Sequence, residues 1–114
     1  MKKEELENLK ADVEAALKNM LGDKIRKVIL YGSYARGDYD EESDIDFAVI
    51  ADIPLEKISS YDLQLGSISF DLSMKYDLLL SILIISEENF NVYKTALPFY
   101  GILLKEGIPF YGIQ

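Results

Sequence analysis

Gly32-Ser33, followed ten residues later by Asp44-Ile45-Asp46, is the part of this chain whose residue types and spacing can do chemistry. A glycine at the end of a strand permits a tight turn close to a ligand. A serine at the head of a short helix sits where free backbone N–H groups and the helix dipole draw anions. Its hydroxyl can donate to a phosphate oxygen. Arg36, one helical turn on, can add a charge-assisted bond to the same group. Two aspartates two apart on a strand leave by the same face, roughly 6.5–7 Å apart at Cα. Such a pair repels itself unless a cation lies between, and hard oxygen ligands select Mg²⁺ or Mn²⁺. An anion-binding turn beside a carboxylate pair suits a metal–nucleoside triphosphate. That chemistry runs on positioning and charge neutralisation.

The composition excludes most other chemistries. The 114 residues contain neither cysteine nor histidine. Disulfides, thiol nucleophiles, Cys-ligated metals and the Ser-His-Asp triad are therefore ruled out. Carboxylates, lysines, arginines, tyrosines or a hard metal must carry any reaction. A formal charge of −8 disfavours a nucleic-acid binder held by phosphate contacts. Only two residues are arginine, Arg26 and Arg36, and one of them falls in the turn described above. The longest near-continuous apolar stretch, Leu78–Ile85, is interrupted by Ser81 and is far short of the ~20 residues of a membrane helix. The N-terminus MKKEELENLK has no signal-peptide core. A single soluble, cytoplasmic domain over 1–114 is expected.

Elements must hold these residues in place. Leu6, Leu9, Val13, Leu17, Met20 and Leu21 recur at helical spacing, and Gly22 suits the C-cap. The run Lys27-Val-Ile-Leu-Tyr31 predicts a buried strand over 25–31. Gly32–Gly37 predicts a turn and a short helix, 38–43 a polar loop, and 44–50 a second strand. Residues 54–75 carry Leu55, Ile58, Tyr61, Leu65, Ile68, Leu72 and Tyr76 at helical steps. Ile68, Phe70, Leu72 and Met74 also alternate as in a strand; the longer pattern favours the helix. Residues 77–85 predict a third strand, apolar on both faces and hence central. Helices over 87–95 and 98–106 and a last short strand, 108–111, complete an α-β-α-β-α-β-α-α-β order. One connecting helix is too short for a doubly wound fold, so an α/β (α+β) mixed sheet with flanking helices is expected.

The pattern Gly32-Ser33-x10-Asp44-x-Asp46 resembles the signature of the DNA polymerase beta-like nucleotidyltransferase superfamily. The string GSYARGDYDEESDIDFAVI is similar to its minimal (MNT) branch, as is Glu106-Gly107-Ile-Pro-Phe-Tyr111 near the end. Tyr34 stands where many relatives carry arginine. The resemblance implies the nucleotidyltransferase fold, with a mainly antiparallel sheet of about four strands. It also implies transfer of AMP from ATP to an acceptor hydroxyl, with Mg²⁺ in two positions. Gly32, Ser33 and Arg36 would hold the triphosphate, and Asp44 and Asp46 the metal. A third carboxylate completes the superfamily's site. Asp77 is the choice if the third strand starts there, and Asp71 if residues 68–74 are that strand.

Larger relatives append an acceptor-binding domain, and a chain ending at Gln114 leaves no room for one, so the acceptor surface is expected on another protein. Short MNT proteins resemble the antitoxins of HEPN–MNT toxin–antitoxin pairs, in which the MNT member adenylylates a tyrosine of the HEPN ribonuclease. A HEPN toxin is thus the implied partner. Two other readings stand beside this one: a non-catalytic neutralising partner with a vestigial site, and a transferase for a small acceptor such as an aminoglycoside. Tyr31, Tyr34 and Tyr39 flank the site and are candidates for stacking on a base. Phe99, Tyr100, Phe110 and Tyr111 are candidates for core or partner contact.

Overall fold

A computed structural model describes residues 1–112 of the chain. The first apolar stripe forms α1, Lys3–Leu21, which buries Leu9, Val13, Leu17 and Leu21. These side chains lie over one face of a four-stranded sheet. Its strands are β1 (Ile25–Tyr31), β2 (Ile45–Ala51), β3 (Leu80–Ser86) and β4 (Ile108–Gly112), in the order β3-β2-β1-β4. β1 runs antiparallel to both β2 and β4, and β2 runs parallel to β3. The sheet is mixed, as the element order implied, and mainly antiparallel, as the family resemblance implied.

Alternation along β2 divides the core in two. Ile45, Phe47, Val49 and Ala51 join α1 in one layer, with Val28 and Leu30 of β1. Ala48 and Ile50 face the other layer, with Ile29, Ile85, Phe90, Tyr100 and Leu103. That second layer is roofed by α4 (Glu87–Tyr93) and α5 (Pro98–Glu106). Each fully buried Leu, Val or Phe contributes about 1.5–3 kcal/mol.

Between β1 and β2 lies a one-turn helix, α2 (Ser33–Arg36). Between β2 and β3 a 3-10 segment, Leu55–Tyr61, leads into α3, Asp62–Tyr76. The helical reading of 68–74 holds: Ile58, Tyr61, Leu65, Ile68, Leu72 and Tyr76 pack on the core. Leu55 departs from that stripe and is exposed, because the 3-10 segment ahead of α3 has a different period. Asp12 ties α1 to α3, accepting from Lys75 Nζ at 2.8 Å and Tyr76 Oη at 2.6 Å.

Two expectations about the third strand change. It starts at Leu80, because Asp77 takes a left-handed conformation (φ 53°) that ends α3. Ser73 secures this corner: its carbonyl accepts from Leu78 N–H and its hydroxyl from Leu80 N–H. The strand is also an edge strand, not a central one. Leu80, Ile82 and Ile84 point into the core, while Ser81 and Leu83 stay open. An apolar run on both faces does not distinguish shelter by neighbouring strands from shelter by something outside the chain. The last strand, expected over 108–111, forms on the opposite edge. Tyr100 is core, and Phe110 packs edge-on against Phe47 with ring centroids 5.6 Å apart. Among the described residues no helix is long and apolar enough to cross a membrane.

Candidate active site

The site forms where β1 ends and β2 begins. Tyr31, the last residue of β1, pairs with Asp46 in the antiparallel register. The chain then turns through Gly32 at φ 78°, a conformation disfavoured for any residue with a side chain. A Cβ on Gly32 would stand 2.6 Å from Asp46 Oδ2. The carboxylate therefore occupies space that only glycine leaves free. Gly32 also starts α2, whose Ala35 and Arg36 N–H groups donate to its carbonyl at 3.1 Å. The N–H groups of Ser33 and Tyr34 are those a one-turn helix leaves unbonded. Ser33 is half-buried at this point.

Asp44 sits one residue before β2 and is exposed; Asp46 is half-buried. Burial pushes the Asp46 carboxyl up from the usual range, the charge of Asp44 pushes it further, and the Arg36 charge draws it partly back. A carboxyl raised by burial and by a neighbouring negative charge is one that a cation would relieve. Burial, and then the charge of Asp46, likewise raise the Tyr31 phenol.

Arg36 is held from two sides. Its Nε donates to Asp38 Oδ2 at 3.1 Å, and its Nη1 lies 3.6 Å from Glu106 Oε2 at the end of α5. The acidic loop between α2 and β2 is thus not all ligand. Asp38 holds Arg36, and Asp40 shapes the turn, accepting from Glu42 N–H at 2.9 Å and from the Ser43 hydroxyl at 3.2 Å. Tyr34 is buried and stacks face to face on Tyr39, with ring centroids 4.1 Å apart. These two rings staple the loop to the turn and are spent on each other. Tyr31 packs edge-on against Phe99, with ring centroids 5.4 Å apart.

The structure brings together Gly32, Ser33, Arg36, Asp44 and Asp46. It does not bring Asp77 or Asp71 to them. Asp77 caps α3, and Asp71 is exposed on that helix. Among the described residues no three carboxylates are grouped to hold a metal ion. The residue placed beside Asp46 on the neighbouring strand is Ser81, through the parallel register Asp46↔Ser81. Sequence reading passed over Ser81 and the Arg36–Glu106 contact. The signal for Ser81 was present, as the one polar break in an otherwise apolar strand.

This strand–turn–helix, with its aspartate pair on the next strand, is the arrangement a family comparison can decide. The profile of the nucleotidyltransferase domain matches residues 8–104. The chain belongs to the nucleotidyltransferase domain family. Two chains of Methanocaldococcus jannaschii, both provisionally named as protein adenylyltransferases, are among its relatives. One is 38% identical over 92 residues, covering 81% of this chain and 84% of its own. The other is 42% identical over 77 residues, covering 67% and 71%.

Solved structures share the nucleotidyltransferase fold. A toxin–antitoxin complex with AMP-PNP superposes with a TM-score of 0.65 at 20% identity, over 91% of this chain and 73% of the other. The MNT antitoxin complexed with a tri-AMPylated Shewanella oneidensis HEPN toxin gives 0.61 at 17% identity, over 95% and 73%. An Enterococcus spectinomycin adenyltransferase with ATP and spectinomycin gives 0.61 at 17%, over 94% and 56%. The donor set of this nucleotidyltransferase fits a hard divalent cation. Asp44 and Asp46 are oxygen ligands, and two carboxylates are what Mg²⁺ usually takes when phosphate oxygens and water complete its shell.

Proposed function

We propose that this chain transfers AMP from ATP to a tyrosine hydroxyl of a HEPN-type partner protein and acts as the antitoxin of the pair. The observation that carries the reading is Asp46 seated against Gly32. That contact sets a carboxylate suited to a metal ion beside a turn suited to a triphosphate, on a fold shared with MNT antitoxins.

In this reading Ser33 binds the triphosphate through its hydroxyl and N–H. Arg36, held by Asp38 and Glu106, presents its remaining N–H groups to the same phosphates. Asp44 and Asp46 would hold Mg²⁺, which would supply charge neutralisation for the phosphates. The acceptor oxygen bonds to the α-phosphorus, and the bond from that phosphorus to the pyrophosphate oxygen breaks. The phenolic proton leaves to a carboxylate, the side-chain base available at neutral pH in a chain without histidine. The product carries a bulky anion on the acceptor tyrosine, which blocks an RNA-cutting site by charge and size.

The test is to incubate the chain with ATP, Mg²⁺ and the HEPN protein and to weigh that protein. An AMP-sized gain that disappears with Asp44→Ala/Asp46→Ala supports transfer. A tight complex without gain, in which the double variant still neutralises the partner, overturns it in favour of neutralisation by binding alone. A gain on spectinomycin-type aminoglycosides instead of protein would redirect the activity to a small acceptor. The cytoplasm, where ATP and a ribonuclease target meet, is the compartment this reading requires.

A further inference from the structure

We propose that the acceptor protein docks on the free edge of β3, over Leu79, Ser81 and Leu83, and enters the site from that side; the inference rests on the adenylyl-transfer reading above. The sheet order supplies the first reason. Asp46 stands on β2, with β1 and its phosphate-binding turn on one side and β3 on the other. In phosphoryl transfer the attacking and leaving oxygens are roughly in line. A pyrophosphate leaving toward the Ser33 turn therefore requires a hydroxyl arriving from the β3 side.

The surface on that side supplies the second reason. Ser81 pairs with Asp46 and Leu83 with Ala48, so both lie on the face that Asp46 shares. Leu79, whose carbonyl accepts from Ile45 N–H, continues the row beside Asp44. Leu79 is 66% exposed and Leu83 41%. A strand with apolar residues on both faces is built to be covered on both. On the face that Asp46 shares, α4 and α5 cover Ile85 at the far end of β3, while Ser81 and Leu83 stay uncovered within the described residues. Ser81, the residue paired with Asp46, is small and exposed.

A groove supplies the third. About 530 Å³ opens between the β3 edge and the first turns of α3, bounded by Asp44, Asp62, Gly66, Ser69 and Ser81. Asp44 lines it, so it reaches the residue just ahead of β2. Its floor and rim combine apolar side chains with the unpaired backbone of an edge strand. That combination fits an extended polypeptide segment with apolar flanks around a hydroxyl residue, added alongside β3. The acidic approach through Asp44 and Asp62 repels RNA as an occupant.

The experiment compares the wild-type chain with Leu79→Lys/Leu83→Lys. The control is Val92→Lys, an equally exposed apolar residue on α4, beyond the opposite end of β3. Three quantities are read: affinity for a non-hydrolysable ATP analogue with Mg²⁺, KM for the HEPN protein in AMP transfer, and amide exchange over residues 79–84 with and without that protein. The double variant is expected to raise the acceptor KM by about 30-fold, the loss seen on removing a central interface anchor. Analogue affinity should stay within about twofold, and the control should behave as wild type. Slowed exchange over 79–84 on partner binding is expected. Unchanged KM in the double variant, an equal loss in the control, or no protection of β3 overturns the proposal. Protection that rises with the chain's own concentration, without partner, assigns the edge to a second copy and also overturns it. Partner-dependent protection with no AMP transfer by the wild type leaves this docking surface standing while the transfer reading falls.

Discussion

Asp46 Oδ2 fills the space where a Cβ on Gly32 would lie, at a separation of 2.6 Å. The turn that would bind phosphate and the carboxylate that would bind metal are thus built against each other. Gly32→Ala is expected to act on both. A left-handed backbone with a side chain costs about 1–2 kcal/mol, and the added methyl displaces the carboxylate. Denaturant unfolding should show that loss. Titration with an ATP analogue and Mg²⁺ should show binding weakened by at least about tenfold. Wild-type affinity with lowered stability would mean that Asp46 does not need its place beside Gly32.

Asp46→Asn is expected to separate stability from function. The folded chain holds the Asp46 carboxyl above its usual pKa. A group so raised contributes stability fully at pH below its unfolded value, and this is lost as pH rises through the folded value. At neutral pH the charged group therefore opposes folding of the metal-free chain, and the neutral amide should raise Tm by about 2 °C. The same change should abolish metal-dependent nucleotide binding. In the wild type, Mg²⁺-dependent binding should fall with acidification at a pH higher than an ordinary aspartate would set. Equal Tm for the two chains at neutral pH would contradict the assigned cause.

Arg36 and Glu106 meet across 3.6 Å, joining the turn after β1 to the end of α5. Arg36→Ala should raise KM for ATP by about tenfold or more, since a hydrogen bond to a charged group contributes about 1.5–3 kcal/mol. Glu106→Gln removes only an exposed partner, worth at most about 1 kcal/mol. Its KM should rise no more than about fivefold, with kcat retained. Steady-state kinetics at two salt concentrations check both, because the Glu106 effect should shrink as screening increases.

Asp77 ends α3 at φ 53°. Asp77→Gly should stabilise the chain by about 0.5–1 kcal/mol, because glycine meets no side-chain penalty there. Transfer should persist, since the structure does not set Asp77 beside Asp44 and Asp46. A loss of kcat of about a hundredfold, with the fold intact by circular dichroism, would return Asp77 to the ligand set.

Local sequence determined much of this molecule. The α1 stripe, the two strands around the turn, the helix over 62–76 and the Gly-Ser and Asp-x-Asp pairs all rest on neighbours a few residues apart. Backbone geometry places such neighbours almost without regard to the rest of the chain. Glycine at 32 and alternation along β2 suffice to predict a turn beside two carboxylates. Absence of cysteine and histidine already restricts the chemistry to carboxylates, lysines, arginines, tyrosines or a hard metal. The residues that tertiary structure decided are those brought near by strand pairing. Whether Asp77, Asp71 or Ser81 stands beside Asp46 depends on where the crossover through α3 ends and how β3 registers on β2. A shift of one residue would send a different side chain to that face. The place of β3 in the sheet was equally hidden, because an apolar strand reads the same whether strands of its own chain or another protein cover it. Only the folded sheet shows Leu79 and Leu83 uncovered beside the aspartates.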